Sequence, residues 1–559
     1  MKTLPLFFVM LLICQIGYAQ TVGTCLHGEA RAELDVSDVR AGLYNTGGLF
    51  WRPGENIYTV PKDGTANAIF ATSLWIGGLF PDSSRAFAGT AYGPWEYWPG
   101  PLDANGNPPA DCSDYDRMYS VYAEDIHTYE ADGTLTDDLR DWPYDLGAPV
   151  IDGDGVEGNY NLAGGDRPHI YGEQSVWWVM NDVGNTKEWF DTPPIGLEVQ
   201  VQAFASSCLP GFPAEPGWVL AEAIERTTYY HFTVIHKGHQ PLSETYMGWF
   251  TDGDLGNASD DYVGTDTTLG MGFYYNGDDF DEGPDSYGDE PPAIGYLMAD
   301  GLHSYRGDSA TTLFPGFNHG VYYDNSVTPS GHSGYRIDPY YMMQARWRDG
   351  TPLTEGGFGF GGTVPVSFSF PGNPVTRSYW SEENTDGNGS RNRPSDRRLV
   401  MSSGPFELLP GDTLAFTLVL PWVRGRDRLD SVRALRQAAR LTRSAASNLM
   451  AASGTGCPAP PPQQFEHPGA LGYYVLQQNY PEPFSQQTII RYEVIDTVPV
   501  QLHVYDLLGR RVRTLVDGVQ DAGVYDVVFE ADDLPTGTYF YRLEAAGYVS
   551  ITRRMVLQR

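Results

Sequence analysis

The chain has 559 residues, 41% apolar and 13% aromatic, enough for two to four domains with folded cores and too apolar for general disorder. Its formal charge of −35 repels phosphate backbones and excludes nucleic acid as a partner. Gly (64), Pro (41), Tyr (36) and Trp (13) are all abundant, which favours strands and turns over long helices.

Residues 1–19 read as a signal peptide. Lys2 supplies the positive start, Leu4–Ile16 an apolar run, and Gly17-Tyr18-Ala19 the small residues ahead of cleavage before Gln20. The run is short for a bilayer span, and no later stretch approaches 18 apolar residues, so no integral membrane helix is expected after signal removal. Cys14 leaves with the signal. Cys25, Cys112, Cys208 and Cys457 remain, which suggests two disulfides in an oxidising compartment with three connectivities open. Of these, Cys25–Cys457 with Cys112–Cys208 would tie the two ends of the large region together. No CxxC pair occurs, which argues against a zinc cluster.

Residues 20–455 form a large β-rich region of one or two subdomains. Glu198–Ala205 alternates, with Val199, Val201 and Ala203 on one face and Gln200 and Gln202 on the other. Trp177 and Trp178, adjacent on β structure, point to opposite faces and are expected mainly in the core. Thr227–His236 and Glu244–Phe250, separated by a turn at His239-Gln-Pro-Leu, suggest a hairpin. A further strand is expected near 412–423. Asp427–Met450 is the one strong helix, with Leu429, Val432, Leu435, Ala438, Ala439, Leu441, Ala445 and Leu449 at helical spacing. Arg433, Arg436, Arg440 and Arg443 fill the rest of that helix and read as a solvated face pairing with an acidic body.

The Pro-rich stretch at 456–470 is a linker. Residues 471–559 then show short strand candidates at regular spacing: 488–494, 500–505, 525–529, 538–544 and 548–557. In Val500-Gln-Leu-His-Val504 the apolar residues share one face. The fold class is therefore mainly β: a large multi-strand region with one terminal helix, followed by a small Ig-like β-sandwich.

The C-terminal module resembles the type A sorting domain of the type IX secretion system. The motifs are Asn479-Tyr-Pro-Glu-Pro-Phe484, Val504-Tyr-Asp-Leu-Leu-Gly-Arg-Arg-Val512, Leu534-Pro-Thr-Gly-Thr-Tyr-Phe-Tyr-Arg-Leu543 and the basic end Arg553-Arg-Met-Val-Leu557. Glu482 stands where that family usually has Asn. The resemblance implies outer-membrane translocation in a Gram-negative bacterium, with the type IX machinery as partner. It also implies frequent removal of the domain, and either release or attachment to a cell-surface glycan. Ala71–Leu79, Trp98–Leu102, Asp252–Asn257 with Asp260–Gly264, and Arg346–Pro352 resemble segments of large exported cargo proteins sharing this domain. That likeness implies a location and no chemistry.

Catalytic motifs do not emerge. There is no GxSxG, HExxH or P-loop. The Gly-rich Gly356–Gly362 reads as a flexible or close-packed loop. His231 and His236 are five apart on a strand and point to opposite faces; His236 and His239 bracket a turn. With 71 acidic residues, paired carboxylates carry no discrimination. Trp95, Trp98, Trp177 and Trp178 are candidates for a sugar-binding face, with core packing preferred.

Three acidic loops carry the strongest signal. Asp152 and Asp154 run on to Asp166; Asp252 and Asp254 run on to Asp260 and Asp261; a third spans Asp278–Asp289. Asp alternating with Gly can wrap several oxygens around a hard cation, so calcium is the expected cofactor. None matches an EF-hand. The sequence thus reads as a secreted or cell-surface binding or structural protein stabilised by calcium, with a secreted hydrolase of polysaccharide or protein as the alternative.

Overall fold

In a computed structural model, the described residues are 22–558 except 93–95, 188–191, 209–217, 308, 325–337, 453–474, 477, 495–497, 508, 522, 532–533 and 546–548. The expected signal peptide at 1–19, the expected linker at 456–470, Trp95 and Cys457 lie outside them.

Two antiparallel sheets build the body. The larger runs in the order Tyr119–Tyr122, Gln174–Asn181, Leu197–Ala205, Thr227–His236, Thr413–Val423, Ala293–Met298, Met271–Asn276, Asp261–Asp266. The smaller runs His319–Tyr323, Arg398–Leu408, Leu242–Asp252, Ala71–Leu79, Gly48–Leu49. Period-two alternation sorts side chains between the faces of the large sheet. Val199, Val201, Ala203, Tyr230 and Leu418 enter the core that also holds Leu74, Met247, Trp249 and Val400 of the small sheet. Tyr229, Phe204 and Val419 enter the opposite core, under the terminal helix. Adjacent Trp177 and Trp178 divide in the same way. Trp178 joins the core between the sheets, while Trp177 packs with Val121, Ile126, Leu139 and Trp142 on the far face.

The expected hairpin does not form. Strand 227–236 pairs with 197–205 and 413–423, whereas strand 242–252 pairs with 71–79 and 398–408. Both strands bury residues on each face, so each needs two flanking partners, and residues 237–241 carry the chain from one sheet to the other. Residues 409–412 carry it back. Proximity in sequence suggested a partner; burial on both faces selected more distant ones.

The helix is Arg428–Ala451, capped by Asp427, whose side chain accepts from Asp430 N. It packs on the large sheet through Val432, Leu435, Ala438, Ala439, Ala445 and Leu449. The arginine face departs from the expected solvated surface. Arg436 is buried, its Nε 3.0 Å from Asp266 Oδ2, and Arg443 donates to the Leu269 carbonyl. The helix lies across the turn between strands 261–266 and 271–276, so this face meets protein rather than water. Pairing with acidic groups does hold, at Asp266 and at Asp430, 3.2 Å from Arg433.

An irregular segment, 344–397, covers the small sheet. It is latched by Glu382 and Glu383, both fully buried. Glu382 pairs with Arg397 at 3.0 Å. Glu383 pairs with Arg391 at 2.8 Å and with Arg428 at the helix start. Loop 356–362 is largely exposed but tied down at two points: the Gly357 and Gly359 carbonyls accept from the indoles of Trp380 (3.0 Å) and Trp347 (2.9 Å).

Cys25 is joined to Cys112, which overturns the Cys25–Cys457 and Cys112–Cys208 pairing. Both sulfurs pack with Trp98 in one small buried cluster, held by contacts of the N-terminal segment such as Cys25 N to Gly184 O at 2.8 Å. Cys208 is also disulfide-bonded.

The C-terminal module is a sandwich. One sheet holds Val475–Leu476, Gln487–Val494 and Gly523–Glu530; the other holds Arg511–Gln520, Val498–Tyr505, Gly537–Ala545 and Val549–Leu557. Val500, Leu502 and Val504 face its core, as the alternation predicts. Strand 511–520 carries no period-two signal in its sequence, because it is half exposed along its length with no residue fully buried.

Candidate metal centres

Two groups of three aspartates converge so that one ligand oxygen from each lies within 4.8 Å of the others: Asp152 with Asp154 and Asp166, and Asp252 with Asp254 and Asp396.

The first group sits in a surface loop pinched off by pairing of Val150–Ile151 with Arg167–Pro168. Gly153 faces Gly165 so closely that a Cβ would lie 2.1 Å from its carbonyl oxygen; no side chain fits there. Asp166 is buried and accepts from Gly153 N (3.0 Å), Asp154 N (3.3 Å) and Asn161 N (2.6 Å). Asp154 accepts from Asn161 Nδ2 at 2.9 Å and Asn159 Nδ2 at 3.1 Å, and these amides hold its carboxyl below the usual range. Asp152 is exposed, so an ion can enter from solvent.

The second group lies at one end of the small sheet, with Asp252 buried and Asp254 and Asp396 partly buried. Asp252 closes strand 242–252, paired in register with Ala71 on one side and Arg398 on the other. Gly253 lies against the Tyr274 ring, where a Cβ would come within 2.3 Å. Asp254 follows in the left-handed region, φ 43°. Arg398 is the local counter-charge, its Nε 3.4 Å from Asp252 Oδ2 and its Nη1 2.8 Å from Asp396 Oδ1. The Tyr92 hydroxyl donates to Asp252 Oδ2 at 2.6 Å. Asp261, fully buried beside this group, accepts from Leu255 N at 3.1 Å through Oδ2.

Three carboxylate oxygens remain buried with no hydrogen-bond partner: Oδ1 of Asp252, of Asp254 and of Asp261. Burial, then the neighbouring Asp254 charge, pushes Asp252 and Asp261 well above the normal range. Burial, then Asp396, raises Asp254 to about 6. Such crowding of like charges out of water is unfavourable unless a cation or protons relieve it.

Of the four aspartates that the sequence groups around this loop, Asp252 and Asp254 converge and Asp261 lies alongside. Asp260 turns away, accepting from Asn276 Nδ2 at 3.3 Å. Burial and the nearby Glu282 and Asp281 raise it to about 8. Asp281, in the third loop, serves as a staple and accepts from Asn257 N and Tyr287 N. Asp396 carries no mark in its own sequence neighbourhood; only the pairing of Arg398 with Asp252 brings it in. His231 is partly buried and bonds Thr417 Oγ1 at 3.0 Å, while His236 is buried and His239 exposed. Trp98, Trp177 and Trp178 are all core residues.

In the C-terminal sandwich the Asn479 amide donates to Pro481 O (3.1 Å), Glu482 Oε2 (3.0 Å) and Thr488 Oγ1 (3.0 Å), and Tyr541 OH accepts from Asn479 N at 2.8 Å. Glu482 also accepts from Val556 N at 3.1 Å, so the unusual Glu is built into the turn. Residues 478–558 match the family described as the secretion system C-terminal sorting domain. This is a type IX secretion cargo. It is accordingly a secreted or cell-surface protein of a Bacteroidetes-type Gram-negative bacterium, and its sorting domain is recognised by the type IX machinery. Among the described residues no helix is long and apolar enough to cross a membrane. No curated protein matches the cargo. Two solved structures are similar at 8% identity, each over 73% of this chain: a polysaccharide lyase, of which 38% is covered, with a TM-score of 0.20, and the dimeric latent PorU of Porphyromonas gingivalis, of which 33% is covered, with a TM-score of 0.14. At those scores neither likeness transfers a fold or an activity.

Proposed function

We propose that the body of this cargo is a cell-surface binding or structural module stabilised by calcium in the Asp152, Asp154 and Asp166 loop. The observation that carries the reading is the convergence of those three carboxylates without a His or Cys among them. Oxygen-only ligands suit a hard cation. The loop lies at the surface, and an ion there would brace it against the helix Ala123–Asp132, which Arg167 already reaches through Glu130 at 2.8 Å. Retention on a surface glycan after removal of the sorting domain belongs to the same reading.

The hydrolase alternative gains no specific support. The buried carboxylate pair Glu382 and Glu383 is occupied by Arg397, Arg391 and Arg428, which suits a latch rather than acid–base work on a substrate. The test is thermal unfolding of the purified protein. Chelation should lower Tm, and millimolar calcium should restore it where sodium chloride of equal ionic strength does not, by an amount set by ligand excess, ~2.7 kcal/mol at a hundredfold over Kd. Asp154→Asn should blunt the response. Superimposable melts with chelator and with calcium would remove the reading.

A further inference from the structure

We propose a second, buried calcium centre of different composition, built from Asp252, Asp254 and Asp396 with Asp261 beside them. It stands on its own observations and does not depend on the Asp152 loop. Four carboxylates gather here against one guanidinium, that of Arg398. Asp252 is 1% exposed and Asp261 0%, and each keeps an Oδ1 without a hydrogen-bond partner, as does Asp254. A fold that desolvates three carboxylate oxygens and offers them no donor has left them for a cation.

The donor chemistry also narrows the ion. The donors are all oxygens, which disfavours zinc and copper. The set is irregular, three carboxylates from a strand end, a loop and a separate segment, which suits calcium's flexible oxygen shell better than magnesium's near-ideal octahedron. Asp252 ends a small-sheet strand, Asp254 lies in the loop leading to the large sheet, and Asp396 lies just ahead of the strand beginning at Arg398. An ion at this point joins the strand end and its loop to the segment ahead of Arg398, whose carboxylates otherwise repel one another.

Tyr92 provides a reporter, because its hydroxyl is 2.6 Å from Asp252 Oδ2. Terbium(III), an oxygen-seeking ion of calcium-like size, is titrated into the full-length metal-free protein. Tyrosine-sensitised terbium emission is read alongside ions bound per chain by native mass spectrometry. Wild type should bind two ions, both displaced by calcium. Asp396→Asn, at the more exposed edge of the centre, should bind one and lose most of the emission. Tyr92→Phe should bind two and emit at less than half the wild-type intensity. Asp154→Asn should bind one and keep the Tyr92-dependent emission. Asp396→Asn binding as many ions as wild type would overturn the buried centre. Loss of an ion from Asp154→Asn but not from Asp396→Asn would leave the surface loop as the sole site, and wild type binding no ion would remove both.

Discussion

Asp396 reaches Asp252 because Arg398, two residues further on, pairs in register with Asp252 across the small sheet. A β-ladder between distant segments thus delivers a carboxylate to a loop that already holds two others, and the guanidinium of Arg398 bridges them. The same segment is fastened upstream by Glu382 and Glu383, so the small sheet, its cover and the helix form one electrostatic unit.

That latch gives the first prediction. Glu383→Ala leaves the Arg428 guanidinium, 4% exposed, with only the exposed Asp279 carboxylate, 3.4 Å from its Nε. Removing one partner from a buried pair costs about 3–5 kcal/mol. Urea unfolding should show a loss of that order; a loss under ~1 kcal/mol would mean that the latch contributes little.

Sorting is tested by truncation. Without residues 478–558 the chain keeps the export signal expected at residues 1–19 and loses its outer-membrane address. Fractionation of the native host should find the truncated protein in the periplasm; normal surface display or release would contradict the assignment.

Disulfide mapping under non-reducing conditions should recover a peptide pair joining Cys25 to Cys112. Recovery of Cys25 with Cys208 or Cys457 would contradict the packing of the N-terminal segment beside Trp98.

Acid should weaken the body through His231. Burial lowers its pKa to about 4, with Asp300 opposing and His303 adding to the shift, and Thr417 and Tyr171 also face the ring. The folded-state value lies below the unfolded one, so the unfolded chain binds the proton more readily between them. Stability is therefore present above about pH 6.5 and is lost as pH falls towards 4, by about 2 kcal/mol after allowance for partial exposure. His231→Gln should flatten that limb of the stability–pH curve; an unchanged slope would place the acid sensitivity elsewhere.

Much of this architecture is legible in the residues themselves. Alternation at Val199, Val201 and Ala203, the split of Trp177 from Trp178, and the cap-to-end extent of the helix all follow from local periodicity, which burial enforces. The sorting domain is legible because several motifs occur in order. Pairing is not legible: strands 227–236 and 242–252 look like hairpin arms until burial on both faces demands partners from 413–423 and 398–408. The Asp152 group is local and could be named from spacing alone. The Asp252 group could be named only in part, since Asp396 arrives by long-range register and Asp260 is turned away by Asn276. The arginine face of the helix reads as solvated because sequence does not reveal the turn at Leu269 that covers it.

Calcium as part of the folded body is the central proposal for this cargo. Its most direct measurement is the metal content of protein purified from the native culture without chelator, by inductively coupled plasma mass spectrometry against protein concentration. Two calcium ions per chain are predicted, falling to one in Asp396→Asn and to one in Asp154→Asn. A wild-type protein that carries no calcium, and takes up none after dialysis against millimolar calcium, would contradict it.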